Sequence, residues 1–261
     1  IGLEEDPVRF WAYVAIVALG LTLLYVVIHY YERGTTTFAT YATVSLLVVT
    51  SLYGNLFIST GKAYGWDGDW FKKTAVEGAS NIKVDKSEFF RIDVLNGIDN
   101  QGMFWRIPTI NAFQSVVPPS IMNFYNTIGV TRDVGSRPDT SVPGIRPFLS
   151  VKYLFDQGNL SSIGMPGWKY VGSQLGFKQW ENTNYIPMGF TYDKYITKQQ
   201  FVISSSKDRV LLKAMVLEND QIKRYKDILS PYNPDEDNDF SDTALAADCA
   251  ERRKYTCSSF K

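Results

Sequence analysis

The sequence predicts a membrane-anchored α+β protein: an N-terminal transmembrane α-hairpin followed by a mixed α+β domain. Three observations carry this. Residues 10–31 and 38–58 are apolar runs without Lys, Arg, Asp or Glu. From Phe89 onward the apolar pattern changes to a period of two. Beyond that, strand-like and helix-like segments follow one another with no regular βαβ repeat, which argues against a doubly wound sheet.

A helix rises about 1.5 Å per residue, so about 20 apolar residues cross a hydrocarbon core of roughly 30 Å. Both runs meet that length. Only Glu32-Arg33-Gly34-Thr35-Thr36-Thr37 separates them, so an antiparallel hairpin in a lipid bilayer is expected. Phe10, Trp11 and Tyr13 at one end, and Tyr30 and Tyr31 at the other, sit where amphipathic rings favour the headgroup region. The competing reading is a buried hairpin in a soluble protein, whose core helices are usually shorter.

Whole-chain averages hide this division. The 27 basic and 27 acidic residues cancel, and the mean hydropathy of −0.14 is that of a soluble protein. Residues 1–60 nevertheless read as membrane-like and the remainder as globular. Without a basic excess, no nucleic-acid partner is expected. The acidic opening Ile1-Gly2-Leu3-Glu4-Glu5-Asp6 lacks the basic start of a signal peptide, and a second span follows the first at once. The chain is therefore expected to be a piece of a longer membrane protein, cut short at its C-terminus as well. Charge does not fix the orientation. Arg33 stands against Arg9, Lys62, Lys72 and Lys73 on the other side, but large domains cross membranes largely regardless of charge. Cys249 and Cys257, the only cysteines, suit an oxidising compartment and are a candidate disulfide.

Residues 61–86, broken by Gly65, Gly68 and Gly78, are expected to form a membrane-proximal linker, with Asp69-Trp70-Phe71 starting a short surface helix. Residues 87–261 form the α+β domain. Its first strand is read in the alternation of Phe89, Arg91, Asp93 and Leu95 with Phe90, Ile92 and Val94. The turns Asn96-Gly97 and Asp99-Asn100-Gln101-Gly102 follow, and a second strand is expected over 103–107. Pro118 and Pro119 open a helix with Ile121, Phe124, Tyr125 and Ile128 on one face, and Gly129 can close it in the left-handed conformation. A core strand is expected over 150–155, and two or three strands over 168–192. One further helix is expected over 207–217 with Ser206 as its N-cap. The last starts at Ser241, stapled by Phe240 and Leu245.

Chemistry is sparse. The single histidine, His29, lies in an apolar run with no carboxylate nearby in sequence, so a Ser-His or Cys-His nucleophile has no natural place. Two cysteines and one distant histidine do not make a zinc site, and no Gly-rich phosphate loop is present. Asp235-Glu236-Asp237-Asn238-Asp239 starts like a calcium loop, but Phe240 stands where the tight turn needs Gly and Ala246 where the bidentate Glu belongs. No metal and no cofactor is expected. Carboxylate pairs such as Asp93, Asp99 and Glu181 meet, if at all, in space rather than in sequence. Phe104, Trp105, Trp168, Trp180 and Tyr185 could stack on sugar rings, but core filling is the plainer reading.

A set of motifs in order adds what spacing cannot. Glu88-Phe89-Phe90-Arg91-Ile92-Asp93, Asn100-Gln101-Gly102-Met103-Phe104-Trp105, Ala112-Phe113-Gln114-Ser115 and Phe124-Tyr125-Asn126-Thr127-Ile128-Gly129 come first. Leu149-Ser150-Val151-Lys152-Tyr153-Leu154 follows, and then Trp180-Glu181-Asn182 with Ile186-Pro187-Met188-Gly189-Phe190. Together they resemble the YfhO family of bacterial membrane proteins, with its "YRI", "N-x-G", "FSS", "FYxxLG", "LxVKY" and "YEN…LPLGF" segments. Gln114 in place of the first Ser, Trp180 in place of Tyr and Gln101 in place of Asp are departures.

The resemblance implies a multi-pass protein of the bacterial cell membrane, similar to type-C glycosyltransferases, with its globular part extracytoplasmic. Such enzymes move a sugar from a polyprenyl-phosphate donor to a cell-envelope acceptor; for YfhO relatives that acceptor is lipoteichoic acid. Their acidic base lies in the first extracytoplasmic loop, so the resemblance carries no catalytic residue over to this chain. Arg91, Asn100, Arg106 and Asn182 are the expected acceptor contacts. The alternative is a non-catalytic, membrane-anchored envelope-binding or scaffold domain.

Overall fold

The computed structural model describes residues 7–31, 35–64, 68–131, 135–136, 138–158, 163–237 and 239–256. The chain divides into two units, Ile1–Lys72 and Lys73–Lys261.

In the first unit, α1 (Pro7–Tyr31) and α2 (Thr35–Tyr64) cover the two apolar runs. Within them, Phe10–Tyr31 and Thr36–Ser59 are long and apolar enough to cross a membrane. The helices are antiparallel: Tyr13 lies 5.7 Å from Tyr53 and Tyr30 stacks on Tyr41 at 4.3 Å, measured between ring centroids. Gly20 of α1 faces Val49 of α2. The protein buries almost none of this apolar surface itself. Val27 is the one buried residue among those described in the two helices, while Trp11, Leu21, Leu46 and Ile58 are each at least 60% exposed. That is not the burial of a soluble core hairpin. The hydroxyls of Thr22, Thr40 and Thr50 donate to carbonyls one turn back, so these polar groups are satisfied without water. A short helix, α3 (Gly68–Phe71), ends the unit.

The second unit is α+β. A π-helical turn (Lys72–Val76) and α4 (Gly78–Asn81) occupy part of the segment expected as a linker. The wide turn takes the Thr74 carbonyl out of a regular helical ladder. That carbonyl instead accepts from Trp105 Nε1 at 2.6 Å and Gln101 Nε2 at 3.2 Å. Gly78 makes the approach possible, because a Cβ there would fall 2.5 Å from Trp105 Nε1. Trp105 is fully buried and meets Phe155 and Phe177 edge-on.

The alternation from Phe89 yields β1 (Arg91–Leu95), whose three middle residues are buried. The strand expected over 103–107 is absent. The chain forms α5 (Gln101–Phe104) and then a turn. Two long-range ties decide this. Asn100 takes a left-handed backbone (φ 60°) with its side chain bonded to Phe113, and Trp105 is drawn to Thr74. So short an apolar run does not distinguish strand from helix by itself.

β2 (Ala112–Phe113) precedes α6 (Pro119–Thr127), which starts at the prolines as expected and is closed by Gly129 at φ 79°. Next come β3 (Gly135–Ser136), which pairs with β2, then α7 (Ile145–Phe148), β4 (Val151–Asp156), β5 (Trp168–Gln174) and β6 (Phe177–Asn182). The main sheet has the order β1-β4-β6-β5, with β1 and β4 parallel and the other pairs antiparallel.

The chain continues through β7 (Lys194–Thr197), α8 (Lys198–Ile203), α9 (Lys207–Lys213), β8 (Met215–Leu217), α10 (Asn219–Tyr225), β9 (Ser230–Pro231) and α11 (Asp242–Lys254). β7 pairs in parallel with both β8 and β9. The helix expected over 207–217 stops at Lys213, because residues 215–217 extend to pair with β7. Ser206 is the N-cap residue of α9, but its side chain makes no capping hydrogen bond. Ser241 does, accepting from the Ala244 N–H at 3.2 Å. Phe240 and Leu245 join separate clusters. One core cluster, around Tyr125, Ile145, Phe201 and Leu211, gathers α6, α7, α8 and α9 over the second sheet.

A fully buried ion pair ties β1 to α7: Arg146 Nε lies 2.9 Å from Asp93 Oδ2. The remaining guanidinium nitrogens donate to the carbonyls of Asp139 and Pro138, and Asn111 Nδ2 donates to the other Asp93 oxygen at 2.7 Å. Removing one partner would strand a buried charge, which costs about 3–5 kcal/mol, whereas replacing both with apolar residues costs far less. Arg146→Ala is therefore expected to lose about 3–5 kcal/mol in chemical unfolding of the detergent-solubilised chain. Arg146→Met combined with Asp93→Leu is expected to lose less than either single change.

Candidate functional site

Three clefts of the second unit border α6. One, of about 410 Å³, is lined on one side by Arg91 and Leu149 and on the other by Ser120, Ile121, Phe124 and Tyr125, with Gln114 and Ile110 between. Four of the sequence motifs converge here. Arg91 comes from the first, Gln114 from the third, Phe124 and Tyr125 from the fourth, and Leu149 from the fifth. Segments far apart in sequence thus contribute to one concave surface.

Beside Arg91 the pairing of β1 with β4 shifts register by one residue. Arg91 sits opposite Val151, yet Ile92 sits opposite Tyr153, leaving Lys152 as the extra residue. The Arg91 N–H donates to the Ser150 carbonyl and its Nη1 to the Leu149 carbonyl at 2.9 Å, with the guanidinium over the Phe89 ring. Its Nε and Nη2 make no hydrogen bond among the described residues and remain available to a ligand. Burial draws the pKa of Arg91 below its ordinary value, opposed by Tyr125, without removing its charge near neutral pH. The cleft thus offers a fixed cation, the Gln114 amide and the Ser120 hydroxyl against an apolar wall. That is the make-up of a site for a polar, partly anionic ligand.

The other expected contacts lie elsewhere. Asn100 accepts from the Phe113 N–H at 2.8 Å and donates to its carbonyl at 3.1 Å. The depression beside it measures about 10 Å³, room for about one water. Asn182 is buried; its amide donates to the Val151 carbonyl and accepts from the Asn184 N–H, joining β6 to β4. Arg106 is exposed at a positive φ of 55° and does not line the cleft. Of the four, only Arg91 reaches it. Gln114, Ser120 and Tyr125 were not singled out as contacts in the sequence, although Gln114 and Tyr125 lie in its motifs.

Several other charged residues are engaged by the protein. Asp93 is held by Arg146. Lys152 Nζ donates to Glu88 at 2.7 Å and lies near the Phe90, Tyr153 and Tyr185 rings. In the acidic run, Asp237 pairs with Lys213, Glu236 accepts from Asn233, and Asp239 accepts from the Ser241 N–H. Among the described residues no group of three His, Cys, Asp or Glu is placed to hold a metal ion.

The comparisons agree with the motifs. The family model described as bacterial membrane protein YfhO matches residues 8–247. The chain belongs to the YfhO family of bacterial membrane proteins. The YfhO match takes in both apolar helices and every residue named in the cleft. No curated protein and no solved structure matches the chain.

Cys249 is buried in α11, and Cys257 lies outside the described residues, as does their proposed pairing. Burial pushes the Cys249 thiol up to about 12, so near pH 8 it carries its proton and does not attack. In a Cys257→Ser chain, a disulfide-exchange reagent at pH 8 is expected to label Cys249 only on unfolding, about 100-fold more slowly in the native state. Asn100→Ala removes two hydrogen bonds and places a Cβ-bearing residue without its polar partner in the left-handed region. A loss of about 2 kcal/mol is expected in chemical unfolding.

Proposed function

We propose that this YfhO protein supports transfer of a sugar from a polyprenyl-phosphate donor to a cell-envelope acceptor such as lipoteichoic acid, the α+β unit holding the acceptor. The observation that carries this is the convergence of four family motifs on the Arg91 cleft. In this reading α1 and α2 span the bilayer as part of a multi-pass protein, and the α+β unit is extracytoplasmic, where such an acceptor is found. The exposed apolar faces of the two helices and their self-satisfied hydroxyls support the first placement.

Transfer requires a base to take the proton from an acceptor hydroxyl. The hydroxyl oxygen then bonds to the anomeric carbon, and the bond from that carbon to the phosphate oxygen breaks, leaving polyprenyl phosphate. No residue of this chain is assigned as that base. The cleft contributes position: Arg91 holds an anionic group of the acceptor while Gln114 and Ser120 fix its hydroxyls, so that less entropy is lost in reaching the reactive geometry.

The test is sugar transfer by the complete membrane protein in proteoliposomes with a polyprenyl-phosphate donor. Arg91→Ala is expected to lower kcat/KM for the acceptor by about 10–100-fold, mainly through KM, the loss of one charge-assisted contact. Arg106→Ala is expected to stay within about twofold. Acceptor binding without transfer would favour the envelope-binding scaffold. Transfer unaffected by Arg91→Ala would remove the cleft from the reaction.

A further inference from the structure

One stretch of the second unit differs from the rest in its surface chemistry. Between Asn100 and Thr131 there is no Asp or Glu and a single basic residue, Arg106, although 21% of the chain is charged. The same stretch exposes Met103, Phe104, Phe113, Val116, Ile121 and Met122, with Val116 at 87% and Met103 at 59%. The fold keeps these residues in one neighbourhood. Asn100, at the head of α5, is bonded through both ends of its amide to the backbone of Phe113, and Ala112, Gln114 and Ile121 meet along the Arg91 cleft. Single apolar side chains on a surface are ordinary, but a group of them in one acid-free segment marks a contact surface.

What covers this surface follows from where the chain arrives. Gln101 and Trp105, on either side of Met103 and Phe104, both donate to the Thr74 carbonyl. Thr74 follows the apolar run that ends at Ser59 by about 15 residues, several of them helical in α2 and α3, so it lies within about 30 Å of that end. A unit the size of Lys73–Lys261 is about 40 Å across, so the point where α5 is fastened belongs to its membrane-near half. Val76 is exposed there as well, preceded at the surface by Lys72 and Lys73. Exposed apolar side chains and cations with no carboxylate among them suit the headgroup layer of a membrane that contains anionic lipids. Rings and methionines enter the acyl boundary, Arg and Lys meet phosphates, and an Asp or Glu would be repelled.

We propose that the second unit docks on the lipid surface through this stretch, with Met103, Phe104, Phe113 and Val116 in the headgroup layer and Arg106 among lipid phosphates. The unit is already tethered, so its effective concentration at the surface is high and a modest apolar contact is enough to hold it there. Ile121 belongs both to this stretch and to the wall of the Arg91 cleft, so docking brings the cleft close to the headgroups, within reach of a lipid-anchored ligand. The proposal rests on α1 and α2 spanning the bilayer, and it does not depend on sugar transfer or on what the cleft holds.

The experiment uses the full chain with Cys257→Ser, in which the remaining Cys249 is buried, in nanodiscs made of equal parts of phosphatidylcholine and phosphatidylglycerol. An environment-sensitive fluorophore is attached in turn at Met103→Cys, Val116→Cys, Ile228→Cys and Leu47→Cys. Leu47 reports on the span, and Ile228 is an exposed apolar residue outside the stretch. Two quenchers are compared, a nitroxide carried on the lipid headgroup and iodide in water. The lipid nitroxide is expected to quench the labels at Met103 and Val116 at least about threefold more strongly than the label at Ile228, and iodide to quench them less. Phe113→Glu combined with Val116→Glu leaves the Asn100 hydrogen bonds, which use the Phe113 backbone, and is expected to bring the Met103 label to the Ile228 values. Labels at Met103 and Val116 that match Ile228 while Leu47 stays shielded from iodide would overturn the docking and leave the spans standing. So would lipid quenching at Met103 that survives the double substitution. Shielding of both labels from both quenchers would place protein, such as a second copy, on this surface and rule out lipid. Iodide reaching Leu47 would remove the spans and the docking together. The readout needs no acceptor, so it stands or falls separately from the sugar-transfer reading.

Discussion

The α+β unit depends on the buried pairing of Asp93 with Arg146. β1 supplies the carboxylate, α7 the guanidinium, and Asn111 the hydrogen bond that completes the carboxylate. An arginine with no exposed surface is tolerable only because each end of its fork is bonded: to Asp93, to the Asp139 carbonyl and to the Pro138 carbonyl. The pair thereby fixes the segment before α7 against the edge of the main sheet. Ile145 beside it is committed to the cluster under α6. The wall positions of the Arg91 cleft follow, since β1 brings one wall and α6, packed over that cluster, brings the other.

A second device works at the start of the unit. The π-helical turn exposes a carbonyl that Trp105 and Gln101 both bind. Trp105 is surrounded by Phe155 and Phe177, so the segment entering the unit is fastened to the centre of the sheet. Neither connection involves neighbours in sequence. Both are side-chain hydrogen bonds in low-dielectric surroundings, where an unmade bond is costly and a made one specifies a single arrangement.

This explains what could be read from the residues alone and what could not. The apolar helices, β1, α6 with its prolines and Gly129, β4 and the Ser241 cap each follow from a local rule of period, turn chemistry or capping, and each is where that rule places it. The region 101–107 does not obey a local rule, because Thr74 and Phe113 decide its shape. The end of α9 is set in the same way by strand pairing with β7. Arg91 was a candidate contact as a polar residue of the first motif, and the fold sets it on the wall of the cleft. Asn100 and Asn182 looked like contacts for the same reason, polarity in a motif, but their amides serve backbone groups. Ser120 carried no signal at all: an exposed serine in a first helical turn is ordinary, and only the folded chain sets it across from Arg91.

The register shift beside Arg91 makes the Leu149 side of its cleft a matter of counting. Side chains on a strand alternate between faces, so one supernumerary residue changes the parity of everything that precedes it. Lys152 is that residue. Shortening β4 by a single codon would leave Arg91 where β1 puts it, while turning Val151, Ser150 and Leu149 over relative to Tyr153 and so changing the wall beside the cation. Length variation at this point therefore alters the wall and not the cation, and relatives with different spacing there would present a different lining to whatever they hold.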